Sequence, residues 1–384
     1  MSHATDRTDT SDNAPTASRH GETGLTVRPM EPGEETAVRA IVGRAFERFD
    51  MLLFATRGRE TLVATGPDGR IVGGVVLHAT APGRLGRLGI VHFVFADPDA
   101  GIPGIGAALR DAADERFDEL GCTETSARID VTNAASQALH HRGGYRPATV
   151  TQQLRRWGWH LPLRWWQAGT GFDPGMQLWL RPAPADRATP PLWRSLGVTA
   201  IINLLLLALV AWRAPRGDAA GVLNVGGTLI ATVAVLLGLR EGAIRLTARQ
   251  QGVQLGHVPW TNGVALAGAL AAGVGVWFPL TGSSTTQRPG WRHDRDVAPL
   301  GRVHLAGALV VGALAVTTVA IEPNVDWLAW AEVRRAAVML ALFDLALGFS
   351  PMIGTAASHI RRWSTPTWVG VAVLGMGPLV YTLL

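Results

Sequence analysis

Residues 97–106 read DPDAGIPGIG, and this segment is the strongest indication of the fold. It follows a strongly apolar segment, 88–95, that predicts a buried strand. Apolar residues then recur at helical spacing from 105 to 120. A glycine-rich turn in this position lets backbone N–H groups at the helix N-terminus point at a phosphate, and the helix dipole favours the negative charge. Similar glycines occur at tight turns that bind nothing, so the stretch needs a second signal.

The chain around this stretch alternates strands and helices. Pro67-Asp68-Gly69 is a hairpin signal between two of the strands, and Gly121 and Gly143 are helix stop signals. This order predicts an α/β domain over residues 25–183, with a mixed central sheet and flanking helices. The predicted strands are 26–29, 61–65, 71–78, 88–95, 126–131, 152–157 and 176–180, and the predicted helices are 34–46, 105–120 and 134–142.

Two motifs of this domain resemble those of the GNAT acetyltransferase superfamily. The family's phosphate loop, Gln/Arg-x-x-Gly-x-Gly/Ala, falls on residues 101–106, and its Asn-x-x-Ala-x-x-Leu-Tyr-x-x-x-Gly-Phe signature falls on 133–145. The resemblance implies an N-acyltransferase that uses acetyl-CoA or another acyl-CoA as a substrate and an amine as the acceptor. It also implies that CoA binds residues of the strand end, the loop and the second motif, namely Ala96, Gly101, Ile102, Gly104, Ile105, Gly106, Ala107 and Asn133.

Three positions depart from the family pattern. Gly101 stands where a basic or amide residue usually opens the loop, and Pro103 has no backbone N–H to offer a phosphate. His140 stands where a tyrosine often acts as general acid toward the leaving thiolate. A histidine with an ordinary pKa of about 6.5 can donate a proton, so His140 is a candidate catalytic residue. The alternative is an ordinary histidine on a helix surface.

Composition limits the other functions. The 384-residue chain has a single cysteine, Cys122, which excludes an intrachain disulfide and a cysteine-based zinc site. Its formal net charge of +5 fits attraction to anionic lipid headgroups, and no arginine-rich stripe with interleaved aromatics indicates nucleic-acid binding. Residues 1–24 are polar, so we expect a disordered tail and no signal peptide.

The second half of the chain predicts an all-α, polytopic membrane domain over residues 195–384, after a proline-rich linker at 184–194. Tryptophans and arginines cluster at 155–166, which is typical of a membrane interface or, alternatively, of an ordinary connection packed on its own domain. We expect an integral protein of the cytoplasmic membrane with the N-terminal domain in the cytoplasm. The six candidate spans are 195–212, 219–239, 262–280, 302–321, 336–356 and 366–384.

This half resembles a degenerate site-2-protease family intramembrane metalloprotease. The family's His-Glu-x-x-His motif falls on 240–244, and its Leu-Asp-Gly motif falls on 352–354. Arg240, Ile244 and Ile353 stand at the three metal-ligand positions, and these side chains cannot hold zinc, so we expect no metal. Glu241 alone remains of the catalytic set. An unrelated helical domain is the alternative. Asp344 is a further candidate, since an acid within a membrane span is often functional, although it could instead pair with an arginine.

Two functions follow from these observations. The first is a membrane-anchored GNAT-type N-acyltransferase that acetylates an amine. The second is a non-catalytic membrane regulator, in which a pseudoprotease half holds a transmembrane peptide and the GNAT-like half senses a ligand. Active intramembrane proteolysis is not expected.

Overall fold

A computed structural model of the chain describes residues 18–20, 24–46, 59–81, 83–171, 174–182, 191–213, 219–286, 293–321, 330–348 and 354–383. The chain packs as two compact units, Met1–Thr125 and Ser126–Leu384. The boundary lies inside a strand. Most of the predicted disordered tail (1–24) and residues 184–190 of the predicted linker lie outside the described residues.

The first unit is built on an antiparallel sheet in the order β1-β2-β3-β4-β5, followed by the start of β6. Valine and isoleucine side chains of α1 pack on the sheet against Val63, Val76 and Phe95. The predicted elements of this unit are confirmed. Their bounds are β1 Ser18–His20, β2 Leu25–Pro29, α1 Glu35–Ala45, β3 Glu60–Thr65, β4 Ile71–Ala79, β5 Arg87–Ala96, α2 Ile105–Glu119 and β6 Cys122–Asp130.

A β-bulge interrupts β5 five residues before the glycine-rich stretch. Val76 pairs with Phe93 and Leu77 pairs with Val91, so His92 is the extra residue on β5. A bulge bends its strand and increases the local twist. The sequence analysis did not predict this feature, because a single extra residue leaves the apolar pattern of the strand intact.

The second unit begins with the rest of β6 and continues through short helices and strands. The prediction of a strand at 152–157 is wrong, because this segment is helical. Thr149 and Gln152 form a capping box in which each side chain bonds the other's backbone N–H, and this fixes a helix start. The short β7 pairs with β8 in place of the predicted strand, and β8 also neighbours β6 in the sheet. The elements are α3 Ala134–Arg142, β7 Arg146–Pro147, α4 Val150–Trp157, a 3₁₀ turn Gly158–His160, α5 Leu161–Ala168 and β8 Met176–Arg181.

The remainder of the second unit, residues 191–383, is the helical half. Its apolar core joins side chains from most of the helices, including Leu236, Val311 and Leu345. A small antiparallel sheet, β9 with β10, lies among the helices. The elements are α6 Leu192–Arg213, α7 Ala219–Gln250, β9 Leu255–Val258, α8 Val264–Val274, β10 Ser283–Thr286, α9 His293–Ala320, α10 Trp330–Ala341, a π turn Leu342–Ala346, α11 Ala356–Trp363 and α12 Thr365–Leu383.

The predicted six spans are not confirmed. Within the described residues, two helical segments are long and apolar enough to cross a membrane, Leu192–Val210 of α6 and Asp296–Ala320 of α9. The predicted span at 262–280 contains only the 11-residue helix α8, which ends at Gly275 in a left-handed conformation. A span requires about 20 residues, so α8 is too short to cross a bilayer.

Candidate functional site

The glycine-rich stretch forms a turn that only glycine adopts readily. Gly101 and Gly104 have φ angles of +63° and +87°, in the left-handed region. A Cβ atom at either position would meet no other atom within 4 Å. The glycines therefore serve the backbone conformation, and the face of the turn beside them is open to a ligand.

The turn delivers the N-terminus of α2 to this open face. The carbonyl oxygen of Gly104 accepts hydrogen bonds from the N–H groups of Ala107 and Ala108, both at 3.0 Å. The N–H groups of Ile105 and Gly106 precede Ala107, the first residue whose N–H donates within the helix, so helix geometry directs these two N–H groups outward. These two donors and the positive end of the helix dipole make the turn a candidate anion site, to which Pro103 adds no donor.

The other predicted loop residues contribute mainly backbone atoms to the turn, because the side chains of Ile102 and Ile105 pack within the first unit. The Ile105 side chain is buried and packs on Gly73 of β4, since a Cβ on Gly73 would lie 2.8 Å from its Cγ2. Ile102 lies over Gly66 in the same unit. Ala96, the last residue of β5, pairs with Gly73. The N–H of Ala107 donates to the carbonyl oxygen of Gly104 within the first turn of α2.

An ion pair that the sequence analysis missed fixes the start of the turn. Arg44 of α1 donates two hydrogen bonds to Asp97, at 3.1 and 2.5 Å, and also lies 3.5 Å from Asp99. The hydrogen bond from Arg44 holds the pKa of Asp97 below its usual range. The carboxylate of Asp97 in turn accepts a hydrogen bond from the backbone N–H of Asp99, and the backbone N–H of Asp97 donates one to the carbonyl oxygen of Val72. No local sequence signal marks this pair, because its members are 53 residues apart.

The second motif builds the N-terminus of α3. Asn133 is the N-cap, and its side-chain oxygen accepts from the N–H of Ser136 at 2.9 Å. Gln137 donates to the carbonyl oxygens of Asp130 and Val131 at the end of β6. Asn133 is therefore placed at the junction of β6 and α3 by its capping role, with its side chain exposed.

His140 is buried, not on the helix surface. Its Nδ1 lies 2.9 Å from the carbonyl oxygen of Ser136, and a carbonyl only accepts, so Nδ1 carries a proton. The ring contacts Tyr145 edge-to-face, with centroids 5.3 Å apart. Nε2 is then the ring atom that can take up or release a proton.

A chain of polar contacts connects β6 with α11 within the second unit. Thr132 donates to Asp130 through its backbone N–H (2.6 Å) and its hydroxyl (2.7 Å), and Arg362 of α11 donates to the same hydroxyl at 3.0 Å. Burial raises the pKa of Asp130, and the charge of Arg362 opposes that shift. The helical half thus contacts the end of β6 directly.

The positions that resemble a protease motif form a buried ion network. Arg240 donates to Asp344 at 2.6 and 2.9 Å and to Glu241 at 2.6 Å, and Ser284 donates to the other oxygen of Glu241. Asp344 therefore pairs with an arginine, one of the two alternatives for this residue. Ile244 is buried against Gly307. Ile353 lies outside the described residues, and among those residues no cluster of histidine, cysteine and acidic side chains is placed to hold a metal.

Comparison with known proteins supports the first of the two resemblances, the one to GNAT acetyltransferases. Residues 32–145 match the model of the acetyltransferase (GNAT) family, which includes both the loop and the second motif. Residues 32–145 are thus similar to a GNAT acetyltransferase domain. Proteins of this family use acetyl-CoA as a substrate. The family match ends at residue 145, and the likeness of the helical half to site-2 proteases stays a prediction.

The N-terminal part of the chain is also similar to curated proteins and solved structures. A mycothiol acetyltransferase of Saccharomonospora viridis is 29% identical over 148 residues, which cover 34% of this chain and 48% of the relative. The chain thus spans about half the length of that relative. A ribosomal-protein-alanine N-acetyltransferase of Brucella melitensis is 20% identical, with a TM-score of 0.28 over 40% of this chain and 98% of the other. A GCN5-related N-acetyltransferase of Kribbella flavida is 20% identical, with a TM-score of 0.29 over 41% and 98%.

Proposed function

We propose that this chain is a membrane-anchored N-acyltransferase that transfers an acetyl group from acetyl-CoA to an amine. The observation that carries the proposal is the turn at 101–106, whose left-handed glycines leave the first N–H groups of α2 open to an anion. The pyrophosphate of acetyl-CoA is such an anion. The family match over 32–145 and the relative named as an acetyltransferase support acetyl transfer.

His140 is the proposed general acid toward the departing thiolate. Its Nδ1 proton is committed to the carbonyl oxygen of Ser136, so the proton for the thiolate would come from Nε2 of the imidazolium form. Transfer to an amine otherwise depends mainly on holding the thioester and the amine in line. The fixed backbone of the turn, held at Asp97 by Arg44, supplies part of that positioning.

The helical half is the proposed membrane anchor. Two of its helices meet the length and hydropathy of a membrane span. Apolar side chains also face outward in regular stripes, with Ile201 and Leu205 on α6 and Val369, Val373 and Val380 on α12, each about half exposed or more. The α12 positions recur at i, i+4 and i+11, which is one helix face. Such faces are stable against lipid and are rare on proteins surrounded by water.

An amine-dependent thiol-release assay tests the proposal. The purified full chain is mixed with acetyl-CoA and a panel of primary amines, and free CoA is measured with a thiol reagent. We expect amine-dependent release by the wild type and loss of release in Gly104→Glu, whose carboxylate would repel the pyrophosphate. Gly121→Glu is the matched control, because Gly121 is also left-handed and open but lies at the opposite end of α2. Equal release by all three proteins would contradict the proposal.

Anchoring is tested separately by extraction of the expressed chain from membranes. An integral protein stays with the bilayer at alkaline pH and leaves it only with detergent. Release of the full chain by alkaline carbonate alone would refute the membrane part of the proposal and leave the transferase part standing. No contact among the described residues favours the non-catalytic alternative over transfer.

A further inference from the structure

The segment 150–168, made of α4, the 3₁₀ turn and α5, presents large apolar side chains to its surroundings. Trp159 is 84% exposed and Trp166 is 78% exposed, and Leu154 and Leu163 are about half exposed. Trp159, Leu163 and Trp166 are spaced i, i+4 and i+7, so they share one side of a helical segment. We call this side the Trp surface. Tryptophans normally bury most of their area, so a rigid surface with two open indole rings needs a partner.

The Trp surface is held in place from behind. Trp157, Leu161, Arg164 and Ala168 are buried on the opposite side. Gln153 of α4 links the two helices, because it accepts from Trp165 Nε1 at 2.7 Å and donates to the carbonyl oxygen of Ala148 at 2.7 Å. The exposure of the indoles is therefore a property of an ordered segment and not of a frayed end.

Charge favours one kind of partner. Residues 131–171 contain no aspartate or glutamate and five arginines, of which Arg164 is buried behind the Trp surface and the other four (142, 146, 155 and 156) are at least partly exposed. Arg155 is exposed and follows the exposed Leu154 in α4. A segment that combines open tryptophans with arginines and contains no acidic residue matches the interface of an anionic bilayer, where indole rings sit at headgroup level and arginines meet phosphates. A protein partner would need both acidic side chains for the arginines and a site that binds the indole rings.

The position of the segment within the second unit agrees with this partner. The N–H of Leu266, in the apolar helix α8, donates to the carbonyl oxygen of Gly171, just after α5. Gly171 also packs closely, since a Cβ there would lie 3.4 Å from Ala265. The segment is thus tied to the start of a helix of the half that we propose to lie in the membrane.

We propose that the Trp surface inserts into the headgroup region of an anionic phospholipid leaflet. The inference rests on the proposed membrane anchor and deepens it, because it holds the segment between β7 and β8 at the bilayer surface.

Site-specific labelling of the full chain tests the inference. Cys122→Ser removes the only cysteine, and Leu163→Cys introduces a label between the two exposed tryptophans while leaving both in place. His141→Cys, an exposed position on α3, is the matched control. Each protein carries an environment-sensitive fluorophore and is reconstituted into nanodiscs of phosphatidylcholine alone or with phosphatidylglycerol. Quenchers are aqueous iodide and lipids with a nitroxide near the headgroup.

We expect the label at 163 to be quenched at least several-fold more by nitroxide lipid than the label at 141, and more strongly with phosphatidylglycerol present. Trp159→Ser with Trp166→Ser should reduce that quenching. Equal iodide quenching at 163 and 141 in both lipids would overturn the inference. Protection from iodide without lipid quenching would also overturn it, and would point to a second copy or another protein on this surface. Thermal stabilisation by acetyl-CoA, measured on the same samples, reports folding and the proposed function independently of insertion.

Discussion

The Arg240–Asp344 pair should be the most sensitive ionic contact of the helical half. The two side chains are 1% and 0% exposed, and they share two hydrogen bonds of 2.6 and 2.9 Å. Arg240→Leu leaves the carboxylate of Asp344 buried without its cation, and leaves Glu241 with Arg245, at 3.6 Å, as its cation. Breaking a buried pair in this way costs about 3–5 kcal/mol of unfolding free energy.

Removing the other partner should cost less. In Asp344→Asn, the amide oxygen can still accept from Arg240 and from the N–H of Ala356, and Arg240 keeps Glu241 as its counter-charge. The loss is then that of a charge-assisted hydrogen bond, about 1–3 kcal/mol. The double change Arg240→Met with Asp344→Leu should cost less than the sum of the single changes, because no unpaired member of this pair remains.

Unfolding of the purified chain in one detergent, followed by tryptophan fluorescence, provides the assay. Arg335→Leu is the control, since Arg335 is 58% exposed in its pair with Glu332 and such pairs contribute about 0–1 kcal/mol. The expected order of destabilisation is Arg240→Leu, then Asp344→Asn, then Arg335→Leu. The reasoning is refuted if Arg240→Leu and Arg335→Leu destabilise the chain equally.

Three further predictions concern the N-terminal half. Gly73→Ala should destabilise the chain by about 1–3 kcal/mol in thermal unfolding, because its Cβ would lie 2.7 Å from a carbonyl oxygen of β5, whereas Gly83→Ala meets nothing within 4 Å and should be neutral. Burial raises the pKa of Asp130, so ionisation of this carboxyl lowers the free energy of unfolding as pH rises. Asp130→Asn should therefore be more stable than wild type at pH 7, and the difference should vanish in acid, below the ordinary aspartate pKa. An advantage that grew in acid would contradict this sign. Thr149→Ala should remove the capping box and cost about 1 kcal/mol, and Thr151→Ala, on the exposed side of α4, should cost less; equal costs would argue against the cap.

The parts of the fold that the sequence predicts depend on local signals. The apolar run of β5, the glycines after it and the helical spacing of α2 lie within about 30 consecutive residues, and they determine the strand-turn-helix unit. Asn133 was predictable as a helix start for the same reason. The wrong strand at 152–157 is instructive, because the Thr149–Gln152 capping box was also present in the sequence and indicates a helix.

The remaining features depend on contacts between distant residues. Arg44 and Asp97 are 53 positions apart, and Arg240 and Asp344 are 104 positions apart. From the sequence, Asp344 could be a functional acid within a membrane span or the partner of an arginine, and no local signal separates these two roles. Likewise, it showed the tryptophans near 159–166 but not which of them are buried, because that depends on how α4 and α5 pack.

The most direct test of the central claim is a calorimetric titration of acetyl-CoA into the full chain. The claim is that the turn at 101–106 binds the pyrophosphate through the N-terminus of α2. It predicts saturable binding by the wild type and by Gly121→Glu, and a loss of affinity of at least tenfold in Gly104→Glu, which places a carboxylate where the phosphates would lie. Binding of equal affinity by all three proteins would contradict the claim.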